Sequence, residues 1–310
     1  MRMERFEAQG FLEPLRGRVV EGPRPRQLLV TLMADYWLAE GAIAPSGALV
    51  DLMSDLGVPE SGTRTLLSRL AKEERLIAVR DGRRTFYRLS DGSRTRLASG
   101  LRQISEFAPP DRPGPGLWTA IAFSIPENRR TTRQQLRKGL SWLGFAPLYD
   151  GLWITPRPVA REATALCAKL GLESASVFQG QIDGIGSAHG NPTDAWDTAE
   201  VHELYGEFIA QLSPVLAALE EGPFAPATSL ACRTALINVW RAFLRLDPEL
   251  PLELLPAGWR RTEAQALFAR IYDGLAPTAV AHVRDTVARH SPAHVDFVAG
   301  HMLRTRLWAS

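Results

Sequence analysis

A nine-residue stretch, Ala108-Pro-Pro-Asp-Arg-Pro-Gly-Pro-Gly116, constrains the chain more than any other feature. It holds four prolines and two glycines. Proline lacks an amide hydrogen and has a fixed φ, so such a stretch suits neither a sheet nor a helix interior. It reads as a stiff linker over residues 106–116. A chain of 310 residues interrupted there has room for two or three compact domains rather than one. No apolar run approaches the roughly 18 residues of a membrane span, and Met1 to Gly10 is too charged for a secretory leader. The expected compartment is therefore the cytoplasm, without a membrane partner. The two cysteines, Cys167 and Cys232, lack CxxC spacing and read as free thiols.

Before the linker, three short helices are predicted. Arg24 to Ala39 carries an apolar stripe of Leu28, Leu29, Leu32 and Met33 and ends at Gly41. Ser46 is the expected cap of the second helix, whose stripe is Leu49, Leu52, Met53 and Leu56 before Gly57. The third starts around Pro59 and runs to Glu74. It buries Leu66, Leu67 and Leu70 and turns Arg64, Thr65, Ser68, Arg69 and Lys72 outward. Two helices around a glycine turn, the second basic and rich in hydroxyls, suggest a helix-turn-helix. Two β-prone runs follow, Leu76 to Arg80 and Arg83 to Leu89, joined at Asp81-Gly82. That hairpin is the expected wing of a winged helix-turn-helix over 24–105, with Arg83, Arg84 and Arg88 as basic contacts.

The formal net charge of +2 does not by itself imply a nucleic-acid partner. Its distribution is more telling. Between Glu60 and Arg96 lie ten basic and five acidic residues, leaving the rest of the chain at −3. This window coincides with the third helix and the hairpin, so double-stranded DNA is the expected partner.

After the linker, Leu117 to Ile125, Pro147 to Thr155 and Ser174 to Gln179 read as strands. Helices are expected at Asn128 to Leu143 and Arg161 to Leu170. This β-α-β-α-β order over 117–180 suggests a small α+β sandwich. The helix Arg129 to Lys138 is strongly basic; it can be a second DNA surface or a solvated or dimer-facing face. The loop Gly180 to Thr193 lacks GxGxxG spacing and makes no phosphate cradle. The remainder, 194–308, reads as helical in five segments: Asp194–Leu219, Thr228–Leu246, Thr262–Leu275, Pro277–Arg289 and Pro292–Arg306.

These segments together resemble the family of PaaX-type phenylacetate-degradation repressors. The resemblance is carried by Gln27-Leu-Leu-Val-Thr-Leu32, by Thr63-Arg-Thr-Leu-Leu-Ser-Arg-Leu70, by Gly82-Arg-Arg-Thr-Phe-Tyr-Arg-Leu89 and by Gly151-Leu-Trp-Ile-Thr-Pro156. Trp240-Arg-Ala-Phe-Leu-Arg-Leu-Asp-Pro-Glu-Leu-Pro251 and Leu254-Leu-Pro256 with Trp259 extend it. It implies an α+β multidomain chain: a winged helix-turn-helix head, a ferredoxin-like middle domain similar to CRISPR-adaptation nucleases, and a helical C-terminal domain. It also implies a homodimeric repressor whose effector is an aryl-CoA or acyl-CoA thioester. The nuclease-like relatives hold a metal with an Asp after the first strand, where this chain has Ser124-Ile-Pro126, so nuclease activity is not expected.

Trp196, Tyr205, Trp240 and Trp259 would suit an aromatic effector pocket, since such rings bury area and keep a polar handle. Aromatics at helical spacing equally serve as plain core. Arg241 and Arg245 can hold a phosphorylated tail or pair with Asp247 or Glu249. His290, His294 and His301 do not read as a metal site, because Ser291-Pro292 starts a new helix. No catalytic residues or resident cofactor are expected. The competing functions are an enzyme acting on a thioester with the winged helix as scaffold, and an effector-independent nucleic-acid binder.

Overall fold

The computed structural model describes residues 24–107, 117–181, 196, 198–250 and 255–303. Residues 1–23, the linker core 108–116, the loop region 182–195, residue 197, residues 251–254 and the final stretch 304–310 lie outside the described residues. The contacts divide the chain into two units. Unit 1 joins Met1–Phe107, Glu207–Ala242 and Glu263–Ser310; unit 2 joins Ala108–Gly206 and Phe243–Thr262. The region 194–308 is thus shared between the units.

Unit 1 begins with helix α1 (Pro25–Tyr36), the two-residue strand β1 (Ala44–Pro45) and helices α2 (Ser46–Asp55) and α3 (Glu60–Lys72). Strands β2 (Leu76–Asp81) and β3 (Arg84–Leu89) form an antiparallel hairpin, and β1 pairs with β3 to give the order β1-β3-β2. Helix α4 (Asp91–Glu106) follows, capped by Ser90, whose side chain accepts from the Ser93 amide. Ser46 does not cap α2. It is the first helical residue, Pro45 is the N-cap, and no side-chain cap bond forms, because Pro45 is held extended in β1 at φ −62 and ψ 133. Gly57, at φ +80, ends α2, with the Val58 amide donating back to Met53 O at 2.9 Å.

The later helices are α7 (Thr198–Glu221), α8 (Pro226–Leu246) and α9 (Arg261–His290), numbered after α5 and α6 of unit 2. The sequence predicts a break at Pro277, yet α9 continues through it. A proline inside a helix costs about 3 kcal/mol. Here Ala279, Val283 and Val287 on the following turns bury completely against the leucines of α1 to α3. Each of the two valines contributes roughly 1.5–3 kcal/mol, and together they offset the cost of the proline. After Ser291 a 3-10 segment, Pro292–Phe297, replaces the expected last helix. The same cluster takes in Leu230 of α8 and Val298, so the N-terminal helices and the C-terminal helices share one core.

In unit 2 the strands are β4 (Trp118–Phe123), β5 (Ala146–Tyr149), β6 (Leu152–Thr155) and β7 (Ala175–Gly180). The helices are α5 (Arg130–Trp142) and α6 (Ala160–Lys169). Pro147 to Thr155, expected as one strand, is a hairpin of two, turned at Asp150-Gly151. Gly151 accepts from the Phe123 amide at 2.9 Å, and a Cβ there would lie 2.8 Å from Phe123 O, so the turn is pinned against β4. The element order becomes β-α-β-β-α-β, with an antiparallel sheet ordered β5-β6-β4-β7. Alternation sends Ile121 and Trp153 toward Leu136, Leu140 and Ala163 of α5 and α6. Trp118, Ala120 and Ile154 face Leu250 and Leu255 on the other side.

Candidate nucleic-acid interface

Helix α3 is amphipathic. Thr63, Leu66, Leu67 and Leu70 are buried, while Arg64, Thr65, Ser68, Arg69 and Lys72 are all exposed. The exposed face is organised by ion pairs one turn apart. Arg64 contacts Glu60 at 2.7 Å and Arg69 contacts Glu73 at 3.0 Å. Glu73 also takes Arg26 of α1 at 2.7 Å, and these two guanidinium groups hold its carboxyl below the usual range. The Thr65 hydroxyl donates to Ser61 O at 2.9 Å.

Strands β2 and β3 pair residue for residue from Leu76↔Leu89 to Asp81↔Arg84. The loop is therefore Gly82-Arg83. Gly82 has φ +56, a conformation that costs glycine little and permits the tight reversal. Arg80, Arg83 and Arg84 are exposed near or at the tip, and Arg88 is half-buried opposite Ile77.

Arg64, Arg83 and Arg84 border one open cleft of about 270 Å³, together with Ser46 and Gly47 of α2 and His290 at the end of α9. His290 Nε2 meets Asp51 Oδ2 at 2.8 Å, and the ring packs so tightly on Gly47 that a Cβ there would lie 2.3 Å from Nδ1. His294 stacks near Phe86 with centroids 4.5 Å apart. Sequence reasoning weighed His290 only as a metal ligand and did not single out Arg26; it placed neither beside the basic residues of α3 and the hairpin. The His290–Asp51 contact spans 239 positions, so no local spacing signals it.

Three arginines of the basic segment, Arg129 at the N-cap of α5 and Arg133 and Arg137 within it, are engaged inside unit 2. Arg129 donates to Leu170 O and Gly171 O, both at 3.3 Å. Arg133 bonds Ile125 O at 2.5 Å and Arg137 bonds Asp150 at 2.6 Å.

The six residues considered for an effector divide between the units. In unit 1, Trp240 is fully buried, stacked on Phe268 at 4.7 Å and edge-on to Phe107 at 5.8 Å; Arg241 is exposed. In unit 2, Tyr205 stacks on Phe243 at 4.6 Å and donates its hydroxyl to Asp247 at 2.7 Å. Burial, reinforced by Asp247, pushes the Tyr205 phenol well above its ordinary value. Trp259 lies beside His202 at 5.7 Å, Trp196 beside Trp118 at 6.2 Å, and Arg245 is exposed. Asp247 is gripped by Arg261 at 2.5 Å, and Glu249 contacts Arg157 at 3.1 Å. Arg157 also donates to Leu244 O and Asp247 O at 3.0 Å each, satisfying carbonyls at the end of α8.

Three family models match in chain order: PaaX-like protein over residues 24–93, the PaaX protein central Cas2-like domain over 111–192, and the PaaX-like protein C-terminal domain over 196–285. The chain belongs to the PaaX-like family. A curated relative, Transcriptional repressor PaaX of Escherichia coli (strain K12), is 29% identical over 265 residues, covering 83% of this chain and 82% of that one. Among solved structures, the uncharacterized protein Rv0674 from Mycobacterium tuberculosis matches with a TM-score of 0.54 at 22% identity, over 82% of this chain and 96% of that one. The two share a fold. In this PaaX-like chain the first match covers α1 to β3 with the three arginines of the cleft, and the central match covers the four-stranded sheet. Among the described residues, no helix is long and apolar enough to cross a membrane.

Proposed function

We propose that this chain is a sequence-specific DNA-binding transcriptional regulator, acting as a repressor and not as an enzyme. In this reading α1 to β3 form a winged helix-turn-helix: α3 enters the major groove and the hairpin β2–β3 lies along the backbone. The observation that carries it is the convergence of Arg64 from α3 with Arg83 and Arg84 from the hairpin on one cleft. Thr65, Ser68, Arg69 and Lys72 extend the same exposed helix face. Arginine and lysine can read guanine edges, and serine and threonine hydroxyls position phosphates. The sheet order and the β-α-β-β-α-β sequence of unit 2 support a ferredoxin-like middle domain.

A single head covers too few base pairs for genomic specificity, so the working species is a homodimer on an inverted repeat, with half-sites about 10 base pairs apart or a multiple of that. A small-molecule effector, an aryl-CoA or acyl-CoA thioester, releases it by favouring an arrangement of the two heads that does not fit the operator. Selection of bound duplexes from a random library tests the DNA reading. Enrichment of an inverted repeat, lost when Arg64 and Arg69 are both changed to Ala, is expected; enrichment of no sequence defeats it. Titration of the operator complex with a panel of CoA thioesters tests the effector. The exposed Arg241 and Arg245 are suitable positions for variants, whereas Trp240 is core.

A further inference from the structure

The cleft at the base of the hairpin brings together parts of the chain that the sequence keeps far apart. Arg64 comes from α3, Arg83 and Arg84 from the hairpin, Ser46 and Gly47 from α2, and His290 from the last turn of α9. We propose that His290 is itself a DNA-contact residue, completing with Arg64, Arg83 and Arg84 a seat for one backbone phosphate of the duplex. This rests on the DNA-binding reading given above and extends it to the C-terminal helix.

Three features carry the argument. The cleft is open and about 270 Å³, room for a phosphodiester group but not for a large cofactor. Its charge is cationic: three guanidinium groups line it, and the nearby carboxylates, Glu60 and Asp51, are each already paired, with Arg64 and His290. A guanidinium presents a planar fork that matches phosphate oxygens. The third feature is the placement of the imidazole. The Asp51 carboxylate can only accept, so Nε2 donates to it across 2.8 Å. That bond fixes the ring against Gly47, where nothing larger than a hydrogen fits: a Cβ would lie 2.3 Å from Nδ1 and 2.5 Å from Cε1. With Nε2 donating to Asp51, Nδ1 is the remaining ring nitrogen; it lies beside Gly47, which itself borders the cleft, and it can donate to a phosphate oxygen only in the imidazolium form. His290 keeps about a third of its side-chain surface exposed, so solvent and ligand reach it. A solely structural histidine in the Asp51 bond needs no such opening.

The consequence is that the C-terminal helix takes part in DNA contact. An effector that displaces the end of α9 removes a phosphate contact directly, without any motion of α3.

The test uses the full-length chain. His290 in the wild-type protein is expected to react with diethylpyrocarbonate several-fold more slowly when operator duplex is bound, read by mass spectrometry of the modified peptide. His290→Ala is expected to lower the slope of log affinity against log salt by about 0.9, the value of one phosphate. His290→Lys, which restores a cation, should keep the slope. Ethylation interference on the operator should lose one sensitive phosphate in the Ala variant. Unchanged reactivity of His290 on DNA binding overturns the proposal, and does so whether or not the variants fold. Protection by millimolar inorganic phosphate but not by duplex also overturns it, in favour of a free anion as occupant. If the wild-type chain binds no duplex at all, the DNA-binding reading itself fails; if Arg83 and Arg84 matter and His290 does not, only this inference fails.

Discussion

The Tyr272 hydroxyl donates to Asp35 Oδ1 at 2.7 Å, joining residues 237 positions apart in a site that is closed to solvent. Arg233 completes the site. Its guanidinium lies 3.7 Å from the centroid of the Tyr272 ring, donates to Tyr272 O at 2.7 Å and to His301 O, and stands 3.8 Å from Asp35 Oδ2. Burial works against the Arg233 cation, and Tyr272, Asp35 and Tyr36 outweigh it, so the group is held above its ordinary range. Nearby, Asn238 Oδ1 accepts from Gln27 at 2.9 Å and from Thr31 at 3.1 Å. The N-terminal head is therefore bonded through buried polar groups to α8 and α9 rather than tethered by residues 106–116 as a free module.

Breaking this site should cost stability throughout unit 1. Tyr272→Phe leaves the Asp35 carboxylate short of a donor in a buried place, a loss of about 1–3 kcal/mol. Arg233→Met leaves the same carboxylate without its cation, a loss of about 3–5 kcal/mol. Thermal unfolding followed by tryptophan fluorescence and circular dichroism should show a lower midpoint in both variants. Melting of the head before the C-terminal helices in the wild-type chain would contradict the shared core.

Replacing Arg83 and Arg84 together with Ala should leave the fold intact, since both side chains are exposed at the hairpin tip. DNA affinity should fall, and the salt slope should drop by about 0.9 for each arginine that truly neutralises a phosphate. Fluorescence anisotropy across a salt series measures it. An unchanged slope would mean that the hairpin does not touch DNA.

What the sequence made legible follows from how local each signal is. Helix α3 and the hairpin were readable because Leu66, Leu67 and Leu70 keep a 3.6-residue period and Gly82 supplies a reversal within two residues. The hairpin at Asp150-Gly151 reads as one strand although it carries the same Asp-Gly dipeptide as the turn at 81–82; its two arms are only four residues each, so Pro147 to Thr155 passes for a single strand of ordinary length. Pro277 misled for the opposite reason: its local cost is real, but Ala279, Val283 and Val287 are held by leucines about 200 or more residues away. The arginines of the cleft were legible one by one. Their meeting with His290 was not, because it depends on how α9 packs on α2.

In the proposed DNA-binding reading, Glu73 opposes DNA contact by the exposed face of α3. Its carboxylate binds Arg69 and Arg26 at once, and a negative charge beside a phosphate backbone is unfavourable. Glu73→Gln should raise DNA affinity several-fold at low salt by releasing both arginines. The carboxyl is held below its ordinary range, so any stability it adds is present above that range and fades as pH falls through the lowered value. A Gln variant that binds DNA more weakly would show that the pairs position Arg69 for its contact instead.

At high pH the buried phenols should govern unfolding. Burial raises Tyr36, Tyr205 and Tyr272 above the ordinary 10.0, with Asp35 or Asp247 adding to the effect. The unfolded chain then releases protons that the folded chain retains, so the stability these groups confer is complete below pH 10 and is lost as pH rises beyond it. Two of them also work as donors in the neutral form, Tyr205 to Asp247 and Tyr272 to Asp35. Their ionisation, followed by the ultraviolet absorbance of phenolate, should coincide with the loss of helical circular dichroism. Tyr205→Phe should remove one phenolate from that step and shift the alkaline midpoint. If all the phenols titrate reversibly while the helical signal holds, Tyr205 and Tyr272 are not the closed, hydrogen-bonded groups that join these helices.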